Sequence, residues 1–573
     1  MAQSDWPPEV LNGTAGLLPG SLSRDGYPGP GRAAAPRTST PRRSAPRAAE
    51  PAVPVRVGEL LPGVCRELVA RAADPDRYDR WSRLVASTGN CAHPIRLTGS
   101  VHRVDAATGE VRSSYDTAGE PDGVLLVACR NRRASVCPPC SETYRADTYQ
   151  LIAAGLRGGK GTPPTVAAHP RVFLTLTAPS FGAVHTIRTD PATCRPRRCH
   201  ERRESGFCPH GRRTSCWRRH PADDPDLGTP LCPDCYDYTG AVLFNALAPE
   251  LWRRLCIYLR RDLARLTGLT VTELNARVRL RFAKVAEAQR RGLVHLHAVL
   301  RLDAAAPADG QTAVPPSGFD AALLIGAVHA AAARVRVDVD AGKGLHRTLA
   351  WGAQLDVRPL AGTVPVLDQN TAAADGEAPQ APDESAVAAY LAKYVTKATD
   401  HLGLTPRRLT TVTVAELDPA RHLHRMALTA WQLGARPELA ELRLRRWAHM
   451  LGFRGHVATR SRAYSTTLGA LRAARAAWRQ DTSGGLLDNE QRPGSPRDVD
   501  HEQPAGPDPA SDTDDEPSVL LVSAWRFAGS GHRTTGDAVL AASAAASARE
   551  RRQAIRLDRW WNRYLNKQKA SLR

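Results

Sequence analysis

Gly292-Leu293-Val294-His295-Leu296-His297-Ala298-Val299-Leu300 sets two histidines either side of one leucine in an apolar, strand-like run. Further along, Ala389-Tyr390-Leu391-Ala392-Lys393-Tyr394-Val395-Thr396-Lys397 sets two tyrosines four apart with lysines between and after them. Side chains alternate along a strand, so His295 and His297 face the same way. Residues four apart on a helix are neighbours, so Tyr390 and Tyr394 share a face. Two imidazoles can hold a divalent metal, and a metal polarises a phosphodiester for attack by a phenol. The products are a 5′-phosphotyrosine and a free 3′-hydroxyl that can prime a polymerase. Two tyrosines on one face allow two such transfers in succession.

Glu287 is the expected third ligand, since two imidazoles and a hard carboxylate suit Mg²⁺ or Mn²⁺ with open positions for phosphate oxygens. Lys393 is the expected stabiliser of developing charge, with Lys397 placed for DNA. Both motifs have a plain packing reading: a histidine pair satisfied in a core, and tyrosines on a helix's buried face. The flanking lysines, the small residues Ala388, Ala389 and Ala392, and the upstream histidines argue for chemistry.

These side chains need elements to hold them. Residues 277–287 and 293–302 read as paired strands joined by a turn containing Gly292; the length of that turn leaves the reach of Glu287 open. Val172-Phe173-Leu174-Thr175-Leu176-Thr177 reads as a strand stopped by Ala178-Pro179. Helical spacing predicts a helix over 241–266, with Pro249 kinking it or opening its second half, and another over 321–337. A strand is expected over 351–360, then a variable loop over 361–382. The tyrosines fall in a helix expected over 384–399, capped by Asp383 and stopped at Gly403.

The chain has 573 residues, 42% of them apolar, which points to two or more domains with a sizeable core. A formal charge of +20 favours a polyanionic partner. No run reaches the apolar length that spans a bilayer and the N-terminus has no apolar signal core, so no membrane partner and a cytoplasmic location are expected. In a reducing compartment the twelve cysteines are better read as metal ligands than as disulfides.

Residues 1–55 read as a disordered basic tail and 56–165 as a region with a cysteine-rich zinc module. A nuclease domain is expected over 166–475, with a zinc-knuckle insertion at 190–240. An acidic linker over 476–518 and a C-terminal strand and basic helix over 519–573 complete the chain. Cys91, Cys129, Cys137 and Cys140 supply four thiolates for a structural zinc. The insertion offers Cys199, Cys208, His210, Cys216, His220, Cys232 and Cys235. Cys232 and Cys235 form its safest pair, completed by Cys208 and either Cys199 or Cys216. So polar a segment cannot fold by burial, and metal binding would stabilise it.

Arg454, Arg460, Arg462 and Tyr464 lie in a Gly/Ser/Thr-rich stretch suited to phosphate contacts. Arg556, Arg559, Trp560, Trp561, Arg563 and Tyr564 interleave bases with aromatics, as single-strand binders do; a docked amphipathic helix fits as well. Gly155-Leu156-Arg157-Gly158-Gly159-Lys160-Gly161 is not a P-loop: its spacing is one residue short and glycine follows the lysine. With no ATPase motif, unwinding is expected to need a host helicase.

The order of Phe173-Leu174-Thr175-Leu176-Thr177, His295-Leu296-His297 and Tyr390-Leu391-Ala392-Lys393-Tyr394 resembles the HUH endonucleases of rolling-circle replication. The two-tyrosine form is similar to the gene A proteins of small single-stranded DNA phages. Cys129-Arg130-Asn131-Arg132-Arg133-Ala134-Ser135-Val136-Cys137-Pro138-Pro139-Cys140, Cys232-Pro233-Asp234-Cys235-Tyr236-Asp237-Tyr238 and Trp351-Gly352-Ala353-Gln354-Leu355-Asp356-Val357 look like replication initiators of actinobacterial plasmids and integrative conjugative elements. His449-Met450-Leu451-Gly452-Phe453-Arg454-Gly455-His456 does too, and the resemblance spans roughly residues 85 to 475. It implies an α+β HUH endonuclease fold, a central antiparallel sheet flanked by helices. It also implies Thr175 and Thr177 on an origin-contacting strand, cleavage of single-stranded or supercoiled origin DNA, and handover to a host helicase and DNA polymerase. An HUH transposase, or a zinc-ribbon DNA-binding regulator without catalysis, are the competing expectations.

Overall fold

The computed structural model describes residues 62–571 except 191–192, 194, 202–205, 306–312, 343, 361–382, 398–403 and 488–518. The basic tail, the loop 361–382, the stop at Gly403 and most of the acidic linker therefore lie outside the described residues. Within them the chain is α+β, with antiparallel sheets.

The central sheet has five strands in the order Leu355–Pro359, Arg171–Leu176, Val294–Ala304, Val278–Ala288, Ala458–Arg460. Every neighbouring pair is antiparallel. Val294–Ala304, the histidine strand, lies in the middle and is buried along all but its last residue. Both faces are covered, so that even the polar residues alternating along it, His295, His297, Arg301 and Asp303, are buried.

The hairpin before it settles the register. Gln289 N–H donates to Leu293 O at 3.0 Å and Gly292 N–H to Gln289 O at 2.9 Å. Gly292 has φ +78°, a conformation that favours glycine, and a Cβ there would stand 2.4 Å from Met426 Sδ and displace that side chain. This turn pairs Glu287 directly with His295 and Val285 with His297. On the other side Thr175 pairs with His297 and Asp356 with Thr175. Directly opposed residues share a face, so all six side chains project to one side of the sheet.

That side is also where the tyrosines lie. Phe173, Ala283, Val285 and Val299 of the sheet pack with Ile152 and Leu156 of the helix Pro138–Arg157. They pack as well with Val387, Ala388 and Leu391 of the tyrosine helix, Glu384–Tyr394. Alanines in that helix let it lie close to the sheet. The opposite face takes the helix Tyr238–Leu266, continuous through Pro249, with Trp252 edge-on to Phe282 at 5.2 Å. From this helix the buried Asn245 donates to Gly292 O and Leu451 O and accepts from Val294 N–H, fixing the mouth of the hairpin.

Several boundaries differ from expectation. The helix expected over 321–337 ends at Arg334, and Val337–Asp340 is a strand. The strand expected over 351–360 is confined to Leu355–Pro359. The tyrosine helix ends at Tyr394 rather than running to residue 399: β-branched Val395 and Thr396 follow, and a side chain from elsewhere takes up the terminal carbonyls, as described below. Residues 476–487, assigned to a linker, continue the helix Leu468–Leu487.

A second sheet joins the two ends of the chain. Ile95–Asp105 pairs with Val111–Asp116, with Leu125–Val127 and, over its full length, with the C-terminal strand Val519–Ser530. The helix Thr535–Ser571 follows. Arg71 beside Trp81 bridges Asp122 and Asp537 at 2.6 and 2.7 Å, tying that helix back to the N-terminal helices. Arg556 and Trp561 of the basic–aromatic series are exposed on it; the side chains of Arg559, Trp560, Arg563 and Tyr564 lie outside those described. Residues Ala183–Cys235 form a separate compact unit.

Candidate active site and metal centres

Glu287, His295, His297, Tyr390 and Tyr394 meet on the tyrosine-bearing face of the central sheet. His297 is the hub. Its Nδ1 lies 3.2 Å from Thr175 Oγ1, and its Nε2 lies 3.3 Å from Glu287 Oε2 and 3.5 Å from Tyr390 Oη. Tyr390 stands edge-on to the imidazole at 5.0 Å, Tyr394 is stacked on it at 5.5 Å, and the two phenols meet at 4.8 Å. His295 sits beside its partner at 4.6 Å between centroids, its Nδ1 2.7 Å from Gln289 Nε2. Arg291 Nε in turn donates to Gln289 Oε1 at 3.0 Å.

Electrostatics follow from burial. Burial, then the charges of His297 and Arg291, pushes the His295 imidazole down to about 3, so it is neutral at physiological pH. Burial first, then the contact with Tyr394 and the carboxylates Glu287 and Asp356, pushes the Tyr390 phenol well above its ordinary value. Burial and Glu287 raise Tyr394 as well, partly offset by Tyr390. Both phenols are therefore protonated near neutrality, and either needs a nearby cation to react.

The residues fit a divalent cation by donor type: a carboxylate and two imidazoles on one face, with His297 Nδ1 held by a hydroxyl so that Nε2 points toward the carboxylate. Three clusters among the described residues have four ligand atoms all within 4.8 Å of one another, and this trio is not one of them.

Several expected roles change. Lys393 is exposed, because on a helix it is turned about 60° away from Tyr390 and 100° from Tyr394. The cation near a phenol is Lys397, with Nζ 5.1 Å from the Tyr394 ring. Thr177 is buried and donates to Gln354 O at 2.7 Å, closing the strand end, so it is not free for DNA. Thr175 orients His297. Arg454, though exposed, donates to Ala246 O and Glu441 O, holding a loop to a helix. Arg460 donates to Ser461 O at 3.0 Å and Arg462 is exposed. Tyr464 is fully buried, its Oη donating to Ile152 O, and belongs to the core.

The tyrosine helix is held at both ends. Asp383 caps its N-terminus, accepting from Ala386 N–H at 3.2 Å, and Glu384 pairs with the fully buried Arg171. At the C-terminal end Arg132 donates to Val395 O at 3.0 Å and Lys397 O at 3.2 Å. Neither Arg132 nor Gln289 stood out in the sequence, since their partners are remote or lie within an unremarkable turn.

Arg132 comes from the loop between Cys129 and Cys137. Cys91, Cys129, Cys137 and Cys140 form one cluster, with Cys91–Cys137 and Cys129–Cys140 sulfur separations both 3.7 Å. Four sulfurs about 2.3 Å from one zinc stand about 3.8 Å apart, so these residues fit a closed structural site. The grouping expected in the insertion is different. Cys208, Cys232 and Cys235 are completed by His210, not by Cys199 or Cys216, which join His185 and His220 instead. His185 had no short-range motif to mark it, lying fourteen residues before Cys199.

Residues 77–546 match the protein family described as RepSA, replication initiator protein, pSAM2. The chain belongs to that replication initiator family. It is 42% identical over 503 residues to a replication initiator protein of Streptomyces ambofaciens, covering 86% of this chain and 95% of the relative. No solved structure matches. Membership implies origin DNA as partner, and no helix among the described residues is long and apolar enough to cross a membrane.

Proposed function

We propose that this initiator nicks one strand at its origin through a tyrosine, with an HUH-type site on the central sheet. One observation carries the reading: the same nitrogen, His297 Nε2, is approached by the Glu287 carboxylate at 3.3 Å and by the Tyr390 hydroxyl at 3.5 Å. Glu287, His295 and His297 would hold Mg²⁺ or Mn²⁺, which when bound supplies Lewis acidity toward a phosphate oxygen. Tyr390 Oη attacks phosphorus and loses its proton to solvent. The bond to the 3′ oxygen breaks, and that oxygen takes up a proton to leave a primer end for a host polymerase, the duplex being opened by a host helicase. Thr175 keeps His297 Nε2 directed at the site, and Lys397 offsets negative charge beside Tyr394. Tyr394, in ring contact with Tyr390, is placed for the second transfer.

The test incubates the full chain with single-stranded origin oligonucleotides and Mn²⁺ or Mg²⁺, then resolves covalent protein–DNA complexes under denaturing conditions. Wild type gives an adduct on one strand, and Tyr390→Phe with Tyr394→Phe together gives none. No adduct on either strand, or an undiminished one in the double variant, overturns the reading and leaves the tyrosines as packing residues.

A further inference from the structure

The insertion Ala183–Cys235 departs from a simple zinc knuckle in the order of its ligands. His185 and Cys199 come first, Cys208 and His210 second, Cys216 and His220 third, Cys232 and Cys235 fourth. In space the first and third pairs form one cluster and the second and fourth the other. We propose that this unit is a cross-braced module binding two Zn²⁺ ions, one per cluster, so that neither half of the segment owns a site and the two ions fold it together.

The geometry within each cluster is of the right size. Tetrahedral zinc, with bonds of about 2.0–2.3 Å, puts its ligand atoms about 3.3–3.8 Å apart. His185 Nδ1 and His220 Nε2 are 3.1 Å apart, Cys216 Sγ and His220 Nε2 3.4 Å, Cys199 Sγ and His185 Nδ1 4.0 Å. In the second cluster His210 Nδ1 lies 3.2 Å from Cys235 Sγ and 3.8 Å from Cys232 Sγ. Thiolate and imidazole sets of this kind select zinc over the hard cations suited to the sheet.

Outer contacts support both. His220 Nδ1 lies 2.8 Å from the buried carboxylate of Asp224, itself held by Arg218 and by Asp226 N–H. This is the carboxylate–histidine arrangement that presents Nε2 to a metal. Thr186 N–H donates to Cys199 Sγ at 3.2 Å. Cys208 sits in a tight turn closed by Gly211 N–H to Cys208 O at 2.9 Å. Backbone hydrogen bonds in both directions between His200 and Cys216 lock the first pair to the third.

The described residues of the unit offer little apolar packing in place of the ions. Among them its buried apolar side chains, cysteines apart, are Val184, Leu227 and Pro230, while Ile187, Phe207 and Trp217 are exposed. A segment without a core folds on metal, and interleaved ligands make that folding a single event.

Zinc counted by elemental analysis on the full chain decides the matter, independently of the nicking reading. Wild type is expected to carry three ions, and Cys140→Ser, which opens the four-cysteine site, two. Cys216→Ser and Cys232→Ser each break a different cluster, and each is expected to lose both module ions and retain one. Asp224→Asn is expected to keep the full count but to weaken one ion ten- to a hundredfold in chelator competition. Where a serine variant aggregates, Co²⁺ titration of the refolded wild-type chain counts the thiolate-bound ions in its place. Fewer than two module ions in Cys140→Ser overturns the two-ion assignment. A Cys216→Ser or Cys232→Ser chain that keeps one module ion overturns the cross-brace.

Discussion

The central sheet and the insertion both gather histidines with acidic or thiol partners, yet they hold them by opposite means. On the sheet, His295 and His297 are carried by a strand buried between two helical layers, and the apolar groups around them supply the fold. In the insertion the few buried side chains include Cys199, Cys216, His220 and Cys232, with only Val184, Leu227 and Pro230 as apolar company among the described residues. A site built on a packed core can exchange its polar residues and remain folded. A site that is its own core cannot.

The sharpest way to break this contrast is to remove one histidine from each region. His297→Ala should cut adduct formation by at least about a hundredfold, since it removes an expected ligand and the neighbour of both phenols. The same change should cost only about 1–2 kcal/mol in stability, because Phe173, Val285 and Leu391 remain packed. His220→Ala should leave the sheet's unfolding transition in place while the insertion becomes sensitive to protease. Global unfolding of His297→Ala, read by circular dichroism, would show that the sheet too depends on its polar site.

The same contrast explains what the sequence disclosed. Period-two and period-3.6 patterns in apolar residues predicted the histidine hairpin, the strand at Thr175 and the tyrosine helix, because burial fixes these elements locally. The turn at Gly292 was visible, but its register was not, so the pairing of Glu287 with His295 came only from the fold. Proximity in sequence favours Lys393 over Lys397 because it hides a helix's rotation and its end at Tyr394. In the insertion no periodicity exists to read. The ligands were evident by type, but their interleaved grouping is set by three-dimensional closure, and short spacings wrongly favoured Cys199 or Cys216 beside Cys208.

Arg132 joins the two principles within one part of the chain, a cysteine-held loop gripping the end of a core-packed helix. Its guanidinium satisfies carbonyls left open where the tyrosine helix stops. Arg132→Met should lower the rate of adduct formation about tenfold, as expected for a reactive group displaced by a fraction of an ångström. The Mn²⁺ concentration for half-maximal cleavage should not change, because the two carbonyls that Arg132 holds belong to the end of the helix. A shift in that midpoint with an unchanged maximal rate would mean that Arg132 acts on the metal site and not on the helix.

The smallest effect tests how far a core can carry a misfit side chain. Lys284 is buried beside Trp252, its Nζ 5.3 Å from the ring, on the sheet face away from the tyrosines. Burial pushes its ammonium down to about 8, against about 10.5 in the unfolded chain. Below pH 8 the group is charged in both states, and the folded protein bears the full cost of a desolvated charge. Between pH 8 and 10.5 the folded state has released a proton that the unfolded chain still holds, so stability rises with pH. Lys284→Met keeps the side chain's length and removes the charge. It should therefore stabilise the protein by about 3 kcal/mol at pH 7, with the gain shrinking toward zero as pH approaches 10.5. Urea unfolding at pH 7 and pH 10 measures both ends of that window. A gain that does not shrink would trace to packing alone, and a loss at pH 7 would show that the contact with Trp252 outweighs the desolvation of the ammonium.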